Sequence, residues 1–291
     1  MSAEPVPAST AVSKPRHRMS PVQRILFFVT AWLIVSMPFL FWWNTWFGRH
    51  LSDGQLAEYL QDDKKPRHIQ HALVQIGDGI SKHDASVARW YPDLVRLASY
   101  PVDEVRNTDA WVMGQDTAGA GFHEALLKML HDPSLMVRGN AALSLVRFGD
   151  ASGRPQIVAL LQPEQLAAPQ SGTVADTATV GAAIHQGGVI AKLQADGKAF
   201  EIRSAISGRL RNLYVQTGQK VAAGARIATI DPGTEQAWEA LRALYLIGQP
   251  EDLPAIQPYE RNVPDISDDV RKQAVLTDEA IRSRAEQASG H

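Results

Sequence analysis

The sequence predicts a mainly α-helical chain: a solenoid of helical repeats, interrupted by one small all-β domain and preceded by one transmembrane helix. Three observations predict it. Helical segments of one pattern recur about every 33 residues on both sides of a Gly-rich stretch, a period typical of solenoids. That stretch, Ala168 to Gly233, reads as two copies of one strand-like pattern. Ile25 to Phe47 runs without a charged residue.

Composition narrows the function before any motif is read. A chain of 291 residues has room for about two domains. An apolar fraction of 45% is enough for a folded core. The net charge of −2 leaves no basic excess, which argues against nucleic acid as a partner. Cysteine is absent, so disulfides, thiolate catalysis and Cys-zinc sites are excluded.

Residues 1–22 are rich in Pro, Ala and Ser and carry Lys14, Arg16 and Arg18. Such a segment has too little apolar surface to offset its ordering entropy, and a disordered cytoplasmic tail is expected. Residues 23–47 are the expected transmembrane helix, because at ~1.5 Å per residue the apolar run crosses a ~30 Å hydrocarbon core. Trp42, Trp43 and Trp46 cluster at its far end, where amphipathic rings favour the headgroup layer. Pro38 is tolerated in such a segment. A cleaved signal peptide would need a small-residue site, which NTWFGRH does not offer. Lys14, Arg16, Arg18 and Arg24 precede the run, whereas Arg49 alone follows closely. The positive-inside rule therefore predicts a single-pass protein of the bacterial inner membrane with a cytoplasmic N-terminus and a periplasmic body.

The clearest helical unit is DPSLMVRGNAALSLVRFGD, Asp132 to Asp150. Asp132-Pro133 suits a helix start, and Val137, Ala141, Ala142 and Leu145 share one helical face. Val137-Arg138 has counterparts in Val105-Arg106 and Val270-Arg271. QAWEALRALYLIG lacks the pair but keeps the spacing, with Ala240 and Leu244 matching Ala141 and Leu145, so that Gln236 aligns with Val137. Val105 to Val137 is 32 residues and Gln236 to Val270 is 34. Val137 to Gln236 is 99, of which Ala168–Gly233 accounts for 66, leaving one period of 33. The Gly-rich block is thus an insertion between two successive repeats. PRHIQHALVQIG, near Ala72, reads as a looser copy at the membrane-proximal end.

These units resemble HEAT repeats, on the D-P…V-R-x-x-A-A pattern. The resemblance assigns 51–167 and 234–284 to HEAT-like repeats; residues 285–291 are expected to form a flexible tail. It implies helix pairs stacked into a short curved rod. Arg106, Arg138 and Arg271 are similar to the recurring arginine of that family, with a structural role in bonding to a neighbouring loop acid such as Asp132.

Within 168–233, Gly172 matches Gly208, Gly181 matches Gly218 and Gly187 matches Gly224. Ile190 and Leu193 match Ile227 and Ile230, with one residue gained before the second glycine. Short β-branched runs between glycines suggest a small barrel or sandwich of two related halves. SGRLRNLYVQTGQKVAAGARIATID is similar to the C-terminal half of a biotinyl/lipoyl-type barrel-sandwich hybrid, in the variant of HlyD-type membrane-fusion adaptors. The first half departs from that family at His185 and Gln186, in a turn usually more acidic. In carriers of this fold a hairpin-tip lysine takes biotin or lipoate. Here Asp196-Gly197 forms the expected turn, so Lys198 falls one residue past the tip, without the flanking methionines of a carrier. Adaptors that reach an outer-membrane channel carry a long helical hairpin at this point, and this chain has only the short turn.

No nucleophile elbow, phosphate loop or zinc-protease motif is present. His68 and His71 could share a helical face, but exposed solenoid histidines are the simpler reading. His83-Asp84 and His123-Glu124 point apart on a helix, and Trp90, Trp111 and Trp238 read as core or repeat-interface residues. No catalytic residue, metal ligand or cofactor is expected. The expectation is a non-enzymatic periplasmic scaffold or adaptor for export of exopolysaccharide or for secretion or efflux. Its partners would be envelope proteins (a transporter, a synthase or another adaptor), with homo-oligomers open. A carrier modified at Lys198 is the second class, and an enzyme the third.

Overall fold

The computed structural model describes residues 27–30, 32, 34, 36, 37, 50–195, 197–263 and 266–289. It divides the chain into two compact units, 1–50 and 51–291. In the first, the described residues from 27 to 37 are helical. The expected tail 1–22 and most of the expected span 23–47 lie outside the described residues. Among those described, no helix is long and apolar enough to cross a membrane.

The second unit begins with helices whose apolar spacing is their cause. Helix α1 (Asp53–Leu60) starts at a capping box in which Ser52 and Gln55 satisfy each other's backbone amides. Helix α2 (Pro66–Ser81) has Pro66 in its first turn and buries Ile69, Ala72, Leu73, Ile76 and Ile80, one face at helical spacing. After a 3-10 turn at Ala85–Trp90 come α3 (Tyr91–Leu97), α4 (Asp103–Met113), α5 (Phe122–Met129), α6 (Leu135–Arg147) and α7 (Arg154–Leu160). Beyond the β strands lie α8 (Thr234–Ile247), the short α9 (Leu253–Ile256) and α10 (Asp268–Ser289).

The long helices form a row in which α2 packs on α4, α4 on α6, α6 on α8 and α8 on α10. The shorter helices form a second layer: α1 against α2, α3 against α4, α5 against α6, α7 against both α6 and α8, and α9 against α10. One continuous apolar core runs between the layers. Polar side chains tie successive members of the row. Asn140 Nδ2 donates to Asn107 Oδ1 (2.8 Å), Ser144 Oγ to the Ala110 carbonyl (2.9 Å) and Thr277 Oγ1 to the Leu241 carbonyl (3.0 Å). Each satisfies a hydroxyl or amide that close helix packing would otherwise strand.

Helix α6 starts later than the Asp132-Pro133 signal suggests. Asp132 accepts from Ser134 N (2.8 Å) while its carboxylate also holds Arg106, and the helix begins at Leu135 with Ser134 in the cap position. The acid is used as a turn former and ion-pair partner, not as the cap.

Between α7 and α8 the chain forms eight strands: β1 (Glu164–Ala167), β2 (Gly172–Thr177), β3 (Ala183–Ile184), β4 (Val189–Ala195), β5 (Lys198–Arg203), β6 (Gly208–Leu213), β7 (Lys220–Val221) and β8 (Arg226–Pro232). They make two antiparallel sheets, ordered β1-β8-β6-β3 and β5-β4-β2-β7. Exchanging β2 with β6, β3 with β7, β4 with β8 and β5 with β1 turns one order into the other, so the block has a pseudo-two-fold. Ile190, Leu193, Ile227 and Ile230, matched between the halves, are all fully buried in its separate core.

The β block begins at Glu164, four residues before the expected start at 168. PEQLAAP holds neither glycine nor a β-branched residue, so nothing in its composition marks a strand. Pairing makes it one: β1 runs antiparallel to β8, with Glu164 opposite Ile230. The chain therefore enters and leaves the block on neighbouring strands. The helix row closes across this gap. Gln236 Nε2 donates to the Leu160 carbonyl (2.8 Å) and Tyr259 Oη to that of Leu161 (2.7 Å). Arg154 grips Asp252 through 2.9 and 3.0 Å contacts.

Candidate functional site

The six matched glycines occupy matched places. Gly172 opens β2 and Gly208 opens β6. Gly181 and Gly218 adopt φ of 84° and 87°, a left-handed backbone that costs other residues about 1–2 kcal/mol. The amide of Gly181 donates to Leu210 O (2.8 Å) and that of Gly218 to Val174 O (2.7 Å), each turn pinned to the other half. Gly187 and Gly224 are pinned instead within their own halves, to Ser204 O just after β5 and to Ala168 O just after β1, both at 2.8 Å. At Gly208 the demand is steric, because a Cβ there would lie 1.8 Å from the Asp231 carbonyl oxygen. These glycines build the fold and offer no ligand a site.

Lys198 is the first residue of β5 and pairs with Ala195 of β4 across a two-residue turn. Gly197, at φ 74°, is half of that turn; its companion Asp196 lies outside the described residues. The lysine is exposed, on the strand side of the tip. β5 is an edge strand carrying Lys198, Glu201 and Arg203, with Phe200 36% exposed between them. Glu201 pairs with Arg203 and lies 3.9 Å from Lys192. Charges on an edge discourage pairing with another strand. His185 and Gln186 are exposed in the β3–β4 turn, where the Gln186 amide donates to Ser207 Oγ (2.9 Å).

The three arginines differ in their surroundings. Arg106 Nη1 donates to the carbonyls six and five residues back, Tyr100 (2.6 Å) and Pro101 (3.1 Å). Arg138 does the same to Asp132 (2.6 Å) and Pro133 (2.9 Å). Arg106 adds a bidentate pair with Asp132, at 2.6 and 2.9 Å, with both side chains about nine-tenths buried. Arg271 makes an i−3 contact with Asp268 (2.7 Å) nearer the surface. Each is held by bonds within the helix row.

The remaining polar candidates are also engaged. His68 Nδ1 lies 2.8 Å from Asp62 Oδ2 and its ring stacks on Tyr59. His123 Nε2 lies 2.8 Å from Asp150, not from its neighbour Glu124. Among the described residues no group of three or more His, Asp or Glu could hold a metal ion. Trp238 lies under Arg242, and Trp111 is 43% exposed. Trp111 lines a groove of about 520 Å³ with Leu143, Arg147, Arg242 and Leu246, and Ser207 and Gly233 of the β block close one side. The groove was not foreseeable from spacing alone, since its wall comes from an inserted domain. Its lining is mixed in charge and mostly apolar, suited to contact.

Family comparisons agree with the geometry of the block. Residues 164–230, close to β1 through β8, match the model described as "Biotin-requiring enzyme", the biotinyl/lipoyl domain. Residues 198–286 match the barrel-sandwich hybrid domain of RND membrane-fusion proteins. That second match starts at β5 and runs on into α10. The β block is thus similar to the barrel-sandwich hybrid of biotinyl/lipoyl domains, and its second half to that of membrane-fusion proteins. No curated protein matches the chain. One similar solved structure is a single-chain, multi-domain long-chain acyl-CoA carboxylase, 19% identical, with 33% of this chain and 10% of that chain covered. Its TM-score is 0.24.

Proposed function

We propose that this protein is a non-enzymatic adaptor anchored in the inner membrane, whose periplasmic body makes protein–protein contacts in an envelope export complex. The match to a membrane-fusion barrel-sandwich hybrid is the observation that carries this reading. The two-layered helix row is compatible with HEAT-like repeats, and stacked helix pairs present extended binding surfaces. The uncharged run 25–47 supplies the anchor and its basic flank the orientation. Because a two-residue turn replaces the long helical hairpin of channel-docking adaptors, contacts fall to the helix row and the block's surface. Exopolysaccharide export, secretion and efflux are the cargo classes this serves.

Photo-crosslinkers placed at Trp111 and Phe200 in intact cells test the reading. Adducts with an envelope protein are expected from at least one position, and adducts from neither would contradict it. A C-terminal alkaline phosphatase fusion should be active; activity only of a cytoplasmic reporter would overturn the orientation.

A second reading, a carrier modified at Lys198, has the biotinyl/lipoyl match in its favour. Lys198 opposite Ala195 is displaced from the tip, and strand register sets which way a side chain faces. The intact mass from a host with active ligases is expected to show no biotinyl or lipoyl adduct.

A further inference from the structure

Asp109 breaks the repeat. Four residues after Val137, Gln236 and Val270 stand Ala141, Ala240 and Ala274, all without solvent exposure. Four residues after Val105 stands Asp109, equally buried, and neither carboxylate oxygen has a hydrogen-bond partner. A small apolar residue serves at three equivalent places, and a carboxylic acid occupies the fourth.

Helical register places this acid toward the second layer. On α4, Asn107 and Ala110 bond to α6, and Val112 lies 3.3 Å from the Cβ position of Gly77 on α2. Arg106, whose contacts are with the α3–α4 and α5–α6 loops, shares the Asp109 side one turn away. Helix α3 packs on α4 and is only seven residues long. The indole nitrogen of Trp90, where the 3-10 turn meets α3, is also buried without a partner. Thus two orphaned polar groups belong to this part of the molecule.

We propose that ionisation of Asp109 opens α3 away from α4 and carries the preceding 3-10 turn with it, making residues 85–97 the pH-responsive part of the helix row. Burial pushes the Asp109 carboxyl well above the usual carboxylate range, against the field of Arg96. Arg96 is itself held by the Leu60 carbonyl and Asp93. Elsewhere on the packed elements, Asp78 pairs with Lys82, His123 with Asp150, and Arg138 with its own loop carbonyls. Arg96 is thus the cation whose field reaches Asp109, but its guanidinium is committed to Leu60 and Asp93 and forms no bond to the buried carboxylate. A buried charge without a bonded counter-ion is expelled or hydrated, and the short helix above it is the element that can yield.

The sign follows from linkage. A carboxyl whose pKa is raised in the closed state binds its proton more tightly there than in the open state. Closure is strongest below the open-state pKa of about 3.9 and weakens as pH rises through the closed-state pKa. Between those limits the closing constant falls about tenfold per pH unit.

Hydrogen exchange of the full chain, corrected for the intrinsic pH dependence of amide exchange, tests this from pH 4.5 to 8. In the unaltered protein, protection of 85–97 is expected to fall with rising pH, while β4 (Val189–Ala195) keeps its protection. In Asp109→Ala the same stretch should show no such fall, and at pH 7 should be at least about tenfold better protected. Asp109→Asn, polar but not titratable, should also lose the pH dependence. The same fall in Asp109→Ala as in the unaltered chain would overturn the proposal. So would lower protection in Asp109→Ala at pH 7, failure of that variant to fold, or a loss spread equally to β4.

Discussion

Arg106 and Arg138 occupy matched positions and make matched bonds to the carbonyls five and six residues back. Only Arg106 has a loop acid to grip, because after α7 the chain turns into β1 instead of another helix–helix loop. Removing one partner of a buried pair leaves an uncompensated charge, which costs about 3–5 kcal/mol. Arg106→Ala is expected to destabilise by that order in denaturant unfolding. Arg271→Ala, which removes an exposed i−3 contact, should cost under about 1 kcal/mol. The recurring V-R pair made these arginines visible in the sequence, but the expected bond to a neighbouring loop acid such as Asp132 is made by Arg106 alone of the three. The deviant acid Asp109 was not legible, because it was hidden at an alanine position of the repeat until burial singled it out.

At the scale of elements, the glycine pairs made two β halves legible, since two of them mark turns and the third opens a strand at the same place in both. The fourth strand of the second half was missed. It is supplied from before the block by β1, whose sequence lacks any strand signature. Its anchor is Glu164, whose carboxylate accepts from the Ala205 amide (3.1 and 3.2 Å) and from Ser204 Oγ (3.0 Å). Hydrogen bonds to a charged acceptor contribute about 1.5–3 kcal/mol each when shielded, and less at a partly exposed site. Glu164→Ala should therefore cost about 1–3 kcal/mol, with hydrogen exchange accelerated first in β1 and β8. Unchanged protection there would show that β1 is held by its strand pairing alone.

For the whole molecule, the interval left after subtracting the Gly-rich stretch pointed to an insertion between two helical repeats. In the structure the row passes directly from α6 to α8, and two apolar cores meet at Leu135. What spacing could not show is how the insertion is tolerated. Entry through β1 and exit through β8 bring the two ends of the block side by side, so the flanking helices meet as though the block were absent. The central claim is that a continuous helix row carries a self-contained β module. Replacing residues 164–232 with a short flexible linker tests it most directly, by circular dichroism and thermal unfolding of the shortened chain. The account predicts retained helicity and one cooperative transition. Loss of helicity, or a non-cooperative melt, would contradict it.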